Sequence, residues 1–493
     1  MSTSLIVIVL VSYFAVLMLI SFLTSRNADS NTFFTGNRQS PWYLVAFGMI
    51  GASLSGVTFI SVPGAVLNEG MAYFQIVLGY VLGYLVIAKV LMPIYYRMNV
   101  ISIYQYLGER LGIVSYKTGA AFFILSRTLG SAMRLYLATL VLQLFLFEDL
   151  GVPYWLTAVV TVLLIWIYTF KGGIKTIVYT DTFQTFFLVS AVVICAIIIG
   201  ENIGVGFTGL YDAVASYGDN GELVRIFHFD DPNSKFFFPK QFFGGMFLAI
   251  AMTGLDQDLM QKNLTCKNLK DAQKNMYSFT TILVVVNFLF LLLGGAMYVY
   301  AAQSGVELPL NAEGQVMTDR VFPTLALGEF GTVAGVFFLL GITASSYASS
   351  DSALAALTTG FCIDFLNFNE RTDEKEKQRL KLYTHIGFSV LFLLIILVVY
   401  ALKADSLIGL ILKVASYTYG PLLGLFAFGI FTKKKVKDKL VPIICIIVPV
   451  LCYLLDSYSK VIFGNYQFGY ELLILNGLLT FAGLMLISNK KTV

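Results

Sequence analysis

Long apolar segments follow one another along almost the whole chain, and they limit what it can fold into more than any other feature. A helix needs about 20 mostly apolar residues to cross a bilayer, and about 13 segments approach or exceed that length. Charged residues make up only 13% of the 493 residues, against roughly 25% in a soluble domain. The sequence therefore predicts an all-α polytopic membrane protein and excludes a soluble enzyme, a disordered chain and a nucleic-acid-binding protein. The predicted segments are 4–25, 41–67, 72–96, 118–147, 154–170, 176–200, 236–262, 275–302, 326–360, 383–402, 405–432, 440–456 and 468–488.

Basic residues concentrate in alternate connections between these segments. One set of connections holds most of the Lys and Arg, including the run at 433–439, whereas the other set holds only six. Cytoplasmic loops carry this excess of positive charge, so we expect the N-terminus outside and the C-terminus in the cytoplasm. Segment 4–25 has no basic stretch before it and is expected to be a retained helix. The compact loops favour a bacterial inner membrane.

Small and polar residues interrupt three of the apolar segments. Hydroxyls and glycines cluster at 51–58 and at 343–352, and segment 236–262 breaks at Thr253 and Gly254. Hydroxyl oxygens and the carbonyl oxygens of a broken helix suit a weakly bound hard cation such as Na⁺. The alternative is that small residues only let helices pack closely. Three interruptions in one chain favour an ion and substrate site.

A few charged residues lie inside the apolar segments, where charge is costly and usually faces a water-filled cavity or a partner. Arg127 and Arg134 are seven residues apart, which puts them on one helix face about 10 Å apart. Asp181 and Lys413 are further examples. A cavity with Arg134 and Lys413 favours an anion, since a guanidinium binds a carboxylate bidentately. The alternatives are that Arg134 pairs with an internal acid such as Asp181, or that Lys413 faces a lipid headgroup.

Four motifs, in order along the chain, resemble those of the sodium:solute symporter family. They are GGIKTIVYTDTFQ at 172–184, DQDLMQK at 256–262, Ser345-Ser346 with Asp351-Ser352, and GPLLG at 420–424 followed by GIF at 429–431. Members of this family carry sugars, monocarboxylates, vitamins, proline, sialic acid and iodide.

The resemblance implies a LeuT-type fold, in which ten core helices form two inverted five-helix repeats. One helix leads and two trail. The implied division is 1–40 for the leading helix and a cytoplasmic loop, 41–235 for the first repeat with an outer loop, 236–432 for the second repeat, and 433–493 for the two C-terminal helices.

The same resemblance implies the residues of the cation sites. The principal Na⁺ site matches Gly51, Leu54, Ile342, Ser345 and Ser346. A second Na⁺ site of some members matches Asp181, Ser345 and Ser349. Ala348 stands where two-sodium members tend to carry another hydroxyl, so one Na⁺ is expected and the second stays open. Asp181 then has a structural or proton-coupled role as its alternative.

The resemblance also implies a substrate pocket between the core helices. The matching positions are Ser55, Thr58, Phe74, Gln75, Arg134, Met252, Thr253 and Lys413.

Together these features predict a secondary active transporter, functional as a monomer, that couples Na⁺ to the uptake of a small organic solute by alternating access. The substrate is expected to be an organic acid or an acidic sugar such as sialic acid. The alternatives are a Na⁺-coupled carrier of a neutral sugar or inositol and a symporter-like membrane sensor. No enzyme is expected, because His228 and His385 are far apart and no nucleophile–base or metal-ligand spacing occurs.

Overall fold

Helices account for most of the computed structural model, which describes residues 3–26, 30–148, 150–402 and 407–492. Each of the thirteen predicted segments contains at least one helix. The predicted start of the eleventh segment, residue 405, lies outside the described residues. The helices of the first half are α1 (Thr3–Ser25), α2 (Ser30–Thr35), α3 (Trp42–Ser53), α4 (Gly56–Glu69), α5 (Tyr73–Val86), α6 (Met92–Met98), α7 (Gln105–Arg110), α8 (Ile113–Leu142), α9 (Tyr154–Thr169), α10 (Gly173–Asn202) and α11 (Leu210–Ala215).

The second half continues in the same way, and two short strands pair antiparallel close to the C-terminal end of the described chain. The helices are α12 (Phe238–Ala249), α13 (Gln257–Leu264), α14 (Leu269–Ser304), α15 (Thr318–Thr324), α16 (Gly331–Asp364), α17 (Glu374–Leu402), α18 (Leu407–Phe431), α19 (Val441–Ser457), α20 (Ser459–Phe463) and α21 (Glu471–Leu486). The strands are β1 (Lys434–Val436) and β2 (Ser488–Thr492). Short 3₁₀ segments lie at Gly36–Arg38, Asp219–Val224, Phe368–Glu370 and Asp438–Leu440, and π-helical segments at Ile87–Leu91, Gln143–Phe147, Ile250–Gly254 and Leu325–Glu329.

Many of the helices have the length and composition of membrane spans. Among the described residues, 8 helices are long and apolar enough to cross a bilayer, or up to 9 if a bent pair counts as one span. α14 and α16 are mostly buried, whereas α1, α17 and α19 leave most of their apolar side chains exposed, as helices at a lipid-facing periphery do. The protein is therefore an all-α polytopic membrane protein.

The bent pair is α3 and α4, which meet at 62°. Leu54 and Ser55 leave the helical conformation, with ψ angles of 84° and 169°. α4 then restarts at Gly56, where an added Cβ would lie only 2.1 Å from Ser346 Oγ on α16. The predicted interruption is thus a real break, and the absence of a side chain at Gly56 lets it lie against α16.

A second break separates α12 from α13. The π-helical segment ends at Gly254, and Asp256 takes an extended conformation before α13 begins. Two tyrosine hydroxyls satisfy the carbonyls freed here, because Tyr95 donates to Gly254 O at 2.9 Å and Tyr104 to Leu255 O at 2.8 Å. This break is closed by hydrogen bonds from neighbouring helices, as backbone at membrane depth requires.

Glycines set the close approach of α5 to α12. A Cβ at Gly79 would lie 2.1 Å from Phe242 O, and one at Gly245 would lie 2.3 Å from Ile76 O. The two glycines therefore let the backbones touch where any side chain would push them apart, which is how small residues join membrane helices.

We expect Gly79→Val to lower the free energy of unfolding by about 1–3 kcal/mol or more, since an overpacked contact must displace backbone. Gly387→Val on α17 is the matched control, because no atom lies within 4 Å of a Cβ built there. The measurement is the midpoint of thermal unfolding in detergent. Equal midpoints for the two variants would contradict the contact.

Candidate functional site

The break between α3 and α4 lies against the hydroxyl-rich stretch of α16. Ser346 Oγ is buried beside Gly56 and has no hydrogen-bond partner among the described residues. Ser345 Oγ donates to Ile342 O at 3.0 Å, so its lone pairs stay free. The structure thus brings the predicted α16 residues to the break.

The α3 side of this junction also has uncommitted oxygen atoms. The last carbonyls of a helix lack intrahelical donors, and no described side chain donates to the carbonyls of residues 51–54, although Thr185 Oγ1 accepts from Gly51 N at 3.0 Å. Gly51 faces Ala348, because a Cβ built at Gly51 would lie 3.6 Å from the Cβ of Ala348. Carbonyl and hydroxyl oxygens are the ligands that hard cations prefer. The residues at this junction fit a Na⁺ ion.

A cavity begins at the same break. Its walls come from α3, α4, α5, α8, α12, the π-helical segment Ile250–Gly254, α13 and α14. Five of the predicted substrate residues line this cavity, and they come from three separate parts of the chain. They are Ser55, Thr58, Arg134, Met252 and Thr253.

Arg134 and Arg127 both line this cavity, but their surroundings differ. Arg127 is buried and forms an ion pair with Asp258, and it lies 3.8 Å from Asp256. Arg134 is half-buried, and no residue of the described chain forms an ion pair or hydrogen bond with it. Asp256 interacts with Arg134 electrostatically but does not contact it. A guanidinium that no acid contacts inside a cavity is suited to an anionic group.

The DQ motif holds Arg127 in place. Asp256 caps the N-terminus of α13 by accepting from Asp258 N at 2.8 Å, and it also accepts from Tyr419 OH. Ser352 Oγ on α16 donates to Asp258 Oδ2 at 3.2 Å. This network joins α8, α13, α16 and α18 at the part of the cavity wall that Arg127 forms.

Asp181 does not have Arg134, the partner considered in the sequence analysis, as its ion-pair partner. Lys262 Nζ lies 2.5 Å from Asp181 Oδ2, and both side chains are only 1% exposed. Asp181 therefore does not pair with Arg134. Ser349 Oγ, from the same predicted second site, donates to Ser346 O at 3.1 Å.

Three predicted substrate residues do not line the cavity. Phe74 packs on Phe288, with ring centroids 5.7 Å apart. Gln75 is buried, donates to Phe236 O and accepts from His228 N at 3.2 Å, and so holds the segment before α12. Lys413 lies 2.6 Å from Asp456, in a second cavity that shares Tyr73 with the first.

Sequence reasoning missed several residues that do line the cavity. Tyr73, Tyr80 and Tyr84 project from one face of α5, and Asn287 is an amide in an otherwise apolar stretch of α14. The spacing of 7 and 4 residues between the tyrosines is helical, so an aromatic stripe and a lone amide were signals available in the sequence.

Comparisons with known proteins relate the chain to a family of transporters. The model of the sodium:solute symporter family matches residues 33–438. The chain is 26% identical over 415 residues to the sodium-coupled monocarboxylate transporter 2 of Bos taurus, covering 82% of this chain and 64% of that one. It is 23% identical to the sodium/sialic acid symporter SiaT of Proteus mirabilis, over 92% of this chain and 89% of that one. The chain therefore spans about two thirds of the length of the vertebrate relative.

A solved structure has the same fold. It is the substrate-bound outward-open state of a Na⁺-coupled sialic acid symporter, with a TM-score of 0.82 and 19% identity over 99% of both chains.

The unequal partners of the two arginines lead to a prediction about stability. Arg127→Gln leaves Asp256 and Asp258 buried without their cation, which costs about 3–5 kcal/mol. Arg134→Gln breaks no ion pair and is expected to change the free energy of unfolding by about 1 kcal/mol or less. Thermal unfolding of both purified variants checks this, and similar losses in the two would contradict the ion-pair assignment.

Proposed function

Because this chain belongs to the sodium:solute symporter family, we propose that it carries a small organic acid across the membrane together with Na⁺. Alternating access is the proposed mechanism. The observation that carries the proposal is Arg134, a cation that no acidic side chain of the described chain contacts, in a cavity that begins at a helix break. The break supplies oxygen atoms for Na⁺, and the arginine supplies a binding group for a carboxylate.

The proposed architecture is a LeuT-type fold with about 13 membrane crossings. Residues 1–40 form the leading helix and loop, 41–235 and 236–432 form the two inverted repeats, and 433–493 form the trailing helices. The two helix breaks support this division, because α3–α4 and α12–α13 open the first and second repeats. The excess of Lys and Arg in alternate connections supports an outside N-terminus and a cytoplasmic C-terminus. The inner membrane of a bacterium and a monomeric transport unit complete the proposal.

The proposed Na⁺ site is made by Gly51, Leu54, Ile342, Ser345 and Ser346. It is supported by the unpartnered hydroxyl of Ser346, which lies beside Gly56 at the break. Because one half of the site is on α3 and the other on α16, bound Na⁺ joins the two elements and stabilises the arrangement in which they touch. A substrate that enters next to Ser55 meets a cavity already ordered by the ion.

The proposed substrate is an acid such as a monocarboxylate or sialic acid, the compounds after which the two relatives are named. Arg134 holds its carboxylate, and Ser55, Thr58 and Thr253 give it hydroxyl partners. Tyr73, Tyr80 and Tyr84 form an aromatic wall. On the other side of the cavity, the Arg127–Asp258 network must open before the acid can leave past α13, since this network joins four helices there.

Arg134→Gln should raise the substrate concentration for half-maximal uptake about ten- to a hundredfold, because a charge-assisted hydrogen bond contributes about 1.5–3 kcal/mol. Arg134→Lys keeps the charge and should lose less. The assay is uptake into proteoliposomes under an inward Na⁺ gradient, with choline replacement, for a panel of a monocarboxylate, sialic acid, a neutral hexose, myo-inositol and proline. The control is Lys460→Gln on an exposed side chain. If the protein accumulates a neutral sugar and Arg134→Gln has no effect on that uptake, the substrate is a sugar and not an acid. Substrate counterflow would distinguish a carrier from a sensor, because a sensor does not move its ligand across the membrane.

Ser346→Ala should raise the Na⁺ concentration for half-maximal uptake about tenfold, which corresponds to about 1.4 kcal/mol. The reason is that it removes a ligand oxygen without adding volume. Ser389→Ala is the matched control, because that buried hydroxyl donates to His385 O on α17, far along the chain from the break. If the Na⁺ concentration for half-maximal uptake is unchanged in Ser346→Ala, the Na⁺ site does not lie at this break.

A further inference from the structure

Lys262 is a buried ammonium group that the proposed transport cycle does not use. It lies near the end of α13, with its side chain 1% exposed, so it does not reach water. Its Nζ contacts the Asp181 carboxylate at 2.5 Å, on α10. A charged pair this deeply buried must neutralise itself, because desolvation penalises any unpaired charge there.

The pair lies one helical turn from the proposed Na⁺ site. Asp181 and Thr185 are four residues apart, which stacks them on the same face of α10 about one 5.4 Å turn apart. Thr185 Oγ1 accepts the Gly51 N–H at 3.0 Å, and a Cβ at Gly48 would lie 3.0 Å from Asp181 Cβ. The Asp181 carboxylate is therefore the anion next to the first cation site.

Asp181 keeps one unpartnered oxygen, Oδ1, and interacts electrostatically with the buried Asp351, but its other neighbouring groups are already committed. Its Oδ2 is held by the lysine. Ala348 has no oxygen to offer on the adjoining face of α16, and Ser349 Oγ is turned to Ser346 O at 3.1 Å. A single positive charge is already present where a second cation would have to bind.

We propose that the Lys262 ammonium permanently takes the place of a second Na⁺ ion at Asp181 and thereby sets the coupling at one Na⁺ per substrate. This inference rests on the proposed function and deepens it. Both cations carry one positive charge, but the ammonium is attached to the chain and cannot leave with the substrate. The negative charge of Asp181 is then neutralised at any Na⁺ concentration.

The ratio of sodium flux to substrate flux tests the wild-type protein directly. Radioactive sodium and radioactive substrate are followed into the same proteoliposomes, and the Hill coefficient for Na⁺ is measured in parallel. One Na⁺ per substrate with a Hill coefficient near one is expected, because the coefficient does not exceed the number of sites. Two Na⁺ per substrate would overturn the proposal without any variant.

The Lys262→Met variant tests the role of the lysine by a readout other than transport. It leaves Asp181 as a buried carboxylate without a cation, and Na⁺ is expected to fill the vacancy. The midpoint of thermal unfolding, measured from low to high NaCl with choline chloride as balance, should gain a second saturating rise. That rise should persist when Ser346→Ala is added, since the second ion does not use that hydroxyl.

Two control variants make the result specific to the pair. Lys262→Arg keeps a positive charge at Asp181 and should show only the wild-type Na⁺ response. Lys262→Met with Asp181→Asn removes both charges and should also lack the second rise. Equal Na⁺ responses in Lys262→Met and in this double variant would overturn the proposal.

Failure of this inference can be told apart from failure of the proposed function. If the wild-type protein takes up no solute with Na⁺ and gains no stability from it, the symport itself is wrong. If the wild-type protein is Na⁺-coupled but carries two ions, or if Lys262→Met gains no Na⁺ response, only the role of Lys262 is wrong.

Discussion

Within a bilayer every backbone polar group must find a partner inside the protein, and the structure depends on how two helix breaks meet this demand. At the α12–α13 break, the hydroxyls of Tyr95 and Tyr104 supply the partners. At the α3–α4 break, the described side chains leave the carbonyls of residues 51–54 without such donors, and Ser346 adds an unpartnered hydroxyl. One break is therefore complete as built, and at the other the uncommitted oxygen atoms support the proposed cation site.

The basic side chains inside the membrane differ in whether an acidic side chain forms an ion pair with them. Arg127 has Asp258, and Lys262 has Asp181. Each of these pairs joins two elements that are far apart in the sequence. Arg134 alone among these three forms no direct ion pair with the described residues, and it faces the cavity. Charge inside the membrane is thus an indication of function only after its partners are known.

The sequence predicted the helices and the positions of both breaks, because apolar length and clusters of small residues are local features. It also predicted that Gly51, Ser345 and Ser346 belong together, through the family resemblance. The sequence did not predict which distant residues form ion pairs. Asp181 and Lys262 are 81 residues apart, and no local pattern selects Lys262 over Arg134 as the partner of Asp181. Tyr73 faces the cavity whereas Phe74 and Gln75 do not, since each step along a helix turns the side chain by about 100°.

The proposed role of the Lys262–Asp181 pair would also have an energetic consequence for uptake. A carrier that moves one Na⁺ with one monovalent acid transfers no net charge, so the membrane potential does not drive it. About 2.3 kcal/mol per 100 mV is then forgone. A tenfold Na⁺ gradient supplies about 1.4 kcal/mol and limits accumulation of the acid to about tenfold. In exchange, uptake proceeds unchanged in a cell whose membrane has been depolarised, as long as the sodium gradient remains.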